Sequence, residues 1–289
     1  MYDTYISLKR QLSHEDYISI KKLEDTCMEH CRQYLKLELD LKFNMASLGI
    51  MNSADCVNDF LYYSDRQLTG YLSIFNLGGK TCELSGMVHP LYRRKGIFTK
   101  LFSLAMDECK RRRLSEILLV CDNRSDSGQA FIKKTGAVSS FSEYLMSRPV
   151  CLKSDLSSNL TLRKADNRDT AAIALLNLSC FGIAGFTGML PEEEEKINRI
   201  TYLICLDTKI IGKIRIETSG NQAIIGGFCI HPKFRGKGYG KQALITAIND
   251  LPENIKSVHL LVDTGNHAAL KVYKDCGFDR LTTLNYYRV

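Results

Sequence analysis

No stretch of eighteen apolar residues occurs in this 289-residue chain, which excludes a membrane-spanning helix of ordinary length. Its first residues lack the charged, apolar and small-residue regions of a secretory leader. Eleven cysteines are scattered without paired spacing, and an odd number speaks against a closed disulfide framework. These absences together lead to the expectation of a reducing, cytoplasmic setting with no membrane partner. The one local cluster is Cys27 and Cys31 with His30 beside them. The two cysteines would share a helix face, but the further ligands of a closed zinc site are missing nearby. They read as small buried apolar side chains, and no metal is expected. Strong charge of one sign is lacking too. A net charge of +7 suits an anionic ligand and is too small to indicate nucleic acid.

What the chain does contain is a long repeat. Val88-His-Pro-Leu-Tyr-Arg-Arg-Lys-Gly-Ile-Phe98 returns 142 positions later as Ile230-His-Pro-Lys-Phe-Arg-Gly-Lys-Gly-Tyr-Gly240. The same offset carries Leu118–Val120 onto Leu260–Val262 and Tyr144 onto Tyr286. A period this long is a whole domain used twice, not a solenoid unit. The length accommodates two domains, each able to bury its own core.

The element pattern agrees. The first forty residues read as helical, with Ser13 to Asp16 in the form of an N-cap. Phe60 to Phe75 reads as two strands around the turn 64–67, and Thr81 to Val88 as another strand. A helix over 97–110 closes at Arg111-Arg-Arg113, cations expected at a solvated helix end. A strand over 114–121, a short helix over 129–134 and a strand over 142–147 complete the half. Residues 149–159, polar with Pro149 and several serines, read as a linker. The plan then restarts, with Glu192 to Glu195 in a first helical turn after Pro191 and a hairpin around Asp207 to Lys209. The expected fold class is α/β of the α+β type: two tandem domains, 1–148 and 160–289, each a mixed, mostly antiparallel sheet flanked by helices.

The chemistry is expected at the repeated segment, where a strand ends and a glycine-rich turn enters a helix. In Arg235-Gly-Lys-Gly-Tyr-Gly240, glycines let a diphosphate approach the backbone, and the amides and dipole of the following helix favour its charge. Arg235 and Lys237 add counter-charge. The segment is not a Walker loop, since no Gly-Lys-Ser or Gly-Lys-Thr follows, and it lacks the spacing of a dinucleotide fingerprint. Downstream lies Asn266-x-x-Ala269-x-x-x-Tyr273-x-x-x-Gly277-Phe278, with Ala269 and Tyr273 on one helix face and Asn266 at the helix start.

R-x-x-G-x-G, then a helix, a strand and N-x-x-A-x-x-x-Y-x-x-x-G-F resembles the GNAT superfamily of N-acetyltransferases, well over residues 160–289 and more loosely over 1–148. The resemblance implies that Arg235, Gly236, Lys237, Gly238, Tyr239 and Gly240 bind the pyrophosphate of acetyl-CoA. It implies that Phe228, Cys229 and Ile230 hold the pantetheine arm and thioester through the backbone, and that Asn266 touches the arm. Tyr273 would protonate the leaving thiolate as an amine attacks the thioester directly. The family's usual glutamate base falls at Ile224, which cannot accept a proton; Glu217 on the preceding strand is the nearest carboxylate.

The N-terminal half keeps Val88, Arg93, Arg94, Lys95 and Gly96 as cofactor-binding candidates. Phe98 replaces the last glycine, Ile132 stands at the position of Tyr273, Ser125 near that of Asn266, and Glu83 one residue from the usual base. This half reads as a degenerate acetyltransferase domain that either still binds acetyl-CoA or shapes the acceptor site. Tandem members of the family use the C-terminal domain for catalysis. The leading expectation is therefore an acetyl-CoA-dependent N-acetyltransferase acting on an unidentified primary amine, as a monomer or homodimer. The competing one is a CoA-binding regulatory protein without transfer activity. Specificity would lie in Phe181 to Lys196 and around Tyr286 and Tyr287, with the acidic run either attracting a cationic amine or simply starting a solvated helix.

Overall fold

The computed structural model describes residues 3–49, 56–76, 79–150, 159–185 and 188–289. Along the first half run β1 (Thr4–Lys9), α1 (His14–Cys31), α2 (Leu39–Ser47), β2 (Asp59–Ser64), β3 (Gln67–Phe75), β4 (Thr81–Val88), α3 (Ile97–Arg111), β5 (Glu116–Asp122), α4 (Asp126–Thr135) and β6 (Val138–Pro149). The second half contains β7 (Leu160–Lys164), α5 (Thr170–Phe181), α6 (Pro191–Glu195), β8 (Arg199–Leu206), β9 (Lys209–Ser219), β10 (Gln222–Ile230), α7 (Tyr239–Asn249), β11 (Ser257–Asp263), α8 (His267–Asp275) and β12 (Asp279–Arg288). Among the described residues no helix is long and apolar enough to cross a membrane.

Local chemistry explains most boundaries. Ser13 and Asp16 form a reciprocal capping box, so α1 starts there and not earlier. Residues 4–9, expected to be helical, instead form an antiparallel edge strand, with Thr4 opposite Ser64 and Lys9 opposite Asp59. Their β-branched and aromatic side chains suit a strand, and pairing with β2 overrides the helical reading. Asp65 and Arg66 both take positive φ, the geometry of a tight two-residue hairpin turn between β2 and β3.

The chain divides into two units, Met1–Ser142 with Thr282–Val289, and Glu143–Leu281. In the first, the strand order is β1-β2-β3-β4-β5-β12. In the second it is β7-β8-β9-β10-β11-β6. Neighbours are antiparallel except β4 with β5 and β10 with β11. The final strand of each sequence half completes the other unit's sheet: Leu284–Arg288 of β12 lie opposite β5, and Glu143–Pro149 of β6 lie opposite β11. The units thus differ from a contiguous division at 149–159 by these two strands. Of that linker stretch, Val150 donates its amide to the Lys256 carbonyl, and 151–158 lie outside the described residues.

Each sheet is covered on both faces. In the first unit α3 packs Leu101 and Ala105 against Phe60, Leu72, Leu84 and Leu119, while α1 packs Ile20, Leu23 and Cys27 against Leu61 and Tyr71. In the second, α7 and α8 cover Ile214, Ile225 and Leu260, and α5 covers Leu203, Cys205 and Cys229. Cys27 is a buried core residue, whereas Cys31, expected to be buried with it, is only half-buried.

The arginines after α3 are not simply a solvated end. Arg111 and Arg112 both bind the buried Glu108, and Arg112 also donates to Asn58 Oδ1 and the Val57 carbonyl, tying the helix end to the strand entry before β2. Burial pushes the Glu108 carboxyl up, but hydrogen bonds from Arg111, Arg112 and the Val57 amide outweigh it and hold the pKa at about 2.

Two outcomes follow for stability. Because the Glu108 pKa is depressed in the folded state, its contribution is complete above the ordinary carboxyl value of 4.5 and is lost as pH falls towards about 2. Urea midpoints measured across that window should fall, and Glu108→Gln should be less stable at neutral pH and flatter below it. Tyr286, fully buried on β12, anchors the exchanged strand in the first unit. Tyr286→Ala should cost about 3–5 kcal/mol in urea denaturation, with the loss falling on that unit.

Candidate active site

The repeated segment builds the same turn twice. His89 and His231 each accept an amide two residues on, from Leu91 and Lys233, at 3.3 Å, and Pro90 and Pro232 open a single 3-10 turn. Tyr92 and Phe234 pack against those histidine rings, with centroids 5.4 and 6.2 Å apart. Arg93 Nε donates to the Val88 carbonyl at 3.0 Å, and Arg235 Nε to the Ile230 carbonyl at 2.9 Å. Most of the shared residues therefore shape the turn. Arg93 also donates Nη1 to Cys31 Sγ at 3.0 Å, so Cys31 of the Cys27–His30–Cys31 cluster faces a cation.

After the turn, Gly96 and Gly238 sit at the N-caps of α3 and α7 with φ of 77° and 82°. No side chain caps either helix, so the leading amides of each face the turn and suit an anion. Arg94, Lys95 and Lys237 are exposed around these amides, with Lys95 Nζ 4.9 Å from the Tyr92 ring centroid. Tyr239 and Gly240 form the first turn of α7.

Beside each turn the sheet opens. The β4–β5 ladder pairs Thr81–Leu84 with Glu116–Leu119 and then stops, although both strands continue. The β10–β11 ladder stops likewise after Ile225 and Leu260. In the first unit this opening is a cavity of about 440 Å³, walled by Ser85 to Val88, Gly96 to Phe98, Cys121, Asp122 and Gln33 to Lys36. Phe98 lies edge-on to Phe131, with centroids 4.7 Å apart, and packs into the core between helices.

In the second unit β10 is bulged between Gly226 and Cys229, with Gly227 at φ 54°. Cys229 and Ile230 are buried after the bulge and Phe228 is half-buried. Tyr273 is buried between Phe228 and Phe278, at centroid separations of 6.4 and 5.9 Å. Burial, with a smaller effect of Cys276, pushes its hydroxyl up to about 12, so at neutral pH it carries a proton to give. Asn266 caps α8, accepting the Ala269 amide at 3.1 Å. Glu217 lies opposite Ile224 and pairs with the buried Arg199 at 3.1 Å.

The acetyltransferase (GNAT) family model matches residues 19–137 and again 170–278, once over each half. The chain belongs to the acetyltransferase (GNAT) family. It is 29% identical over 144 residues to a mycothiol acetyltransferase of Renibacterium salmoninarum, a match spanning 43% of this chain and 42% of that protein. Among solved structures it resembles a GCN5-related N-acetyltransferase from Sphaerobacter thermophilus, with TM-score 0.77, 15% identity and coverage of 99% and 95% of the two chains. It also resembles a tandem GNAT protein from the clavulanic acid biosynthesis pathway, with TM-score 0.71, 15% identity and coverage of 99% and 98%. At these identities the structural likeness is one of fold.

As a GNAT chain, its two halves differ where chemistry would occur. Ile132, buried, stands where Tyr273 stands in the other unit, and Ser125 caps α4 as Asn266 caps α8. Glu83 is held by Lys36 at 2.7 Å, and Lys36 also donates to the Tyr286 hydroxyl at 3.1 Å. The acidic run is engaged throughout: Glu192 with Asn167, Glu193 with the Leu190 amide, Glu194 with Thr201 and Arg215, and Glu195 with Lys164. Phe181 and Lys196 bound a stretch in which 186 and 187 lie outside the described residues.

Three residues near the opening were not singled out from the sequence. Lys213 lies opposite Cys229 in the ladder and Arg215 opposite Gly226, both on the sheet face of Glu217. The alternation Lys213-Ile-Arg-Ile-Glu217 carries that signal. His259 lies beside Ile224, and burial lowers its pKa below 6.5, which keeps the ring neutral.

The two turns also test a backbone rule. Arg94 adopts φ 64° where its repeat partner Gly236 adopts φ 76°. Arg94→Gly should stabilise the first unit by about 0.5–1 kcal/mol, and Gly236→Ala should destabilise the second by about 1 kcal/mol, both measured by thermal unfolding.

Proposed function

We propose that this protein is an acetyl-CoA-dependent N-acetyltransferase whose active site lies in the unit Glu143–Leu281. The observation that carries the reading is the coincidence, in that unit, of the uncapped α7 N-terminus, the bulge in β10 and the buried, protonated Tyr273. The amides at Gly238 to Gly240 take the pyrophosphate, aided by Arg235, Gly236 and Lys237. Backbone groups of Phe228, Cys229 and Ile230 hold the pantetheine arm and polarise the thioester carbonyl. A neutral primary amine attacks the carbonyl carbon, the C–N bond forms as C–S breaks, and the Tyr273 hydroxyl supplies the proton that sulfur requires. Asn266 holds the start of α8 and, through it, the position of Tyr273. Proton acceptance from the amine falls to Glu217, once it exchanges its Arg199 contact, or to the neutral His259.

The first unit is proposed as a second acetyl-CoA cradle without transfer chemistry. Val88, Arg93, Arg94, Lys95 and Gly96 rebuild the turn beside an open cavity, while Ile132 offers no proton to a thiolate. That cavity is also what favours the alternative of a CoA-binding regulatory protein. No metal takes part in either reading, and the soluble, cytoplasmic setting and the choice between monomer and homodimer remain part of the proposal.

Acetyl-CoA calorimetry on the intact protein, Gly96→Trp and Gly238→Trp separates these readings. A Cβ at either glycine meets open space or only the tip of Gln242, but both glycines take positive φ, so thermal unfolding of each variant first confirms that it is folded. Stoichiometry near two is expected, falling to one in each variant. With primary amines as acceptors, CoA release should fall by about 10²–10⁴-fold in Tyr273→Phe while acetyl-CoA binding is retained. Binding without turnover across acceptors, unchanged by Tyr273→Phe, would establish the regulatory reading instead.

A further inference from the structure

The sheet face that carries Glu217 also holds Arg199, Lys213 and Arg215, Glu194 reaches it from α6, and all but Lys213 are mutually engaged. Lys213 is the exception. It is 6% exposed, and among the described residues no carboxylate lies within ion-pair distance of its amine. The carboxylate that most influences it, Glu194, is already held by Thr201, Arg199 and Arg215. A buried, unpaired lysine is costly, and so its surroundings must be asked what they do with it.

Its amine is aimed at the bulge. Lys213 stands opposite Cys229, and a methyl group placed on Gly227 would lie 3.1 Å from Nζ. Arg215 makes the same approach to Gly226, where a methyl group would lie 2.9 Å from its Nη2. Two successive residues without side chains thus open a window in β10 just after its ladder with β11 has ended. The Phe181 ring lies 5.6 Å from Nζ and closes the other side.

We propose that Lys213 is a self-acetylation site, its amine presented through the Gly226–Gly227 window to the thioester held along β10. This rests on the proposed placement of acetyl-CoA in the second unit. Separately, burial is the largest influence on the ammonium and lowers its pKa from 10.5; Cys229 and Glu194 oppose it and Arg215 acts with it, and the net direction is towards the free amine. The step is closed in atoms. The Nζ lone pair attacks the carbonyl carbon, the C–N bond forms and the C–S bond breaks with its electron pair on sulfur. The thiolate takes the Tyr273 proton, and the surplus proton on the new amide nitrogen returns through solvent to the tyrosinate. Products are N-acetyl-lysine and CoA. The neutral amide then sits against Phe181 and Cys229 without an uncompensated charge, so the modified protein is the more stable form.

The test is incubation of the full chain with acetyl-CoA alone, followed by peptide mass spectrometry over time. Acetylation at Lys213 should run about tenfold or more faster than at Lys271, whose side chain is 80% exposed. It should vanish in Gly238→Trp, slow in Tyr273→Phe, and raise the melting temperature in step with occupancy. Calorimetry on Gly96→Trp, which leaves only the second cradle, is run in parallel. Binding there with Lys213 unmodified, or modified no faster than Lys271, overturns self-acetylation and leaves the transferase reading standing. No binding there overturns both.

Discussion

The early end of two parallel ladders governs everything else in this protein. Strands β4 and β5, and again β10 and β11, stay paired for four residues and then run on without each other. Backbone groups beyond that point need partners from elsewhere, and a buried amide or carbonyl left alone is expensive. An extended ligand with its own amides is one way to supply them. The strand that diverges also delivers the chain to the His-Pro turn, which in turn aims a helix N-terminus back across the opening. Cradle, opening and bulge are consecutive consequences of one interruption in a sheet.

Scaffold and opening separate within the repeat. The histidine, proline, aromatic and arginine that recur at 89–93 and 231–235 are spent on the turn itself, through an amide cap, a stacked ring and a guanidinium on the preceding carbonyl. Their recurrence reports a shared backbone path. The halves diverge in the positions that reach the opening: Phe98 against Gly240, Ile132 against Tyr273, Ser85-Gly86 against the Gly226–Gly227 bulge. Two copies of one frame thereby differ at their openings, one lined by a cavity beside Ile132 and the other flanked by the buried hydroxyl of Tyr273.

Much of this was legible in the residues. The capping box at Ser13, the hairpin around 65–66, both turns into a glycine-capped helix and the helix of Tyr273 follow from local rules that packing does not overturn. Residues 4–9 were misjudged because an edge strand takes its identity from its neighbour. Arg112 has the sequence pattern of a solvated helix-end cation, because the convergence of Glu108, Asn58 and Val57 on it is set by tertiary packing. The acidic run at 192–195 looked available to a ligand, yet its carboxylates are consumed by Asn167, Leu190, Thr201, Arg215 and Lys164. Lys213 was overlooked because its significance lies in two glycines on another strand.

The exchange of terminal strands has an evolutionary consequence. Each sheet ends in a strand encoded by the other half of the gene, so β6 and β12 are selected for fit to a sheet they do not precede in the chain. Recombination that imported a foreign copy of one half would bring a mismatched last strand into the half left behind. The duplicated halves are therefore free to differ in their openings, where Ile132 stands against Tyr273, but are bound at their edges to be inherited together.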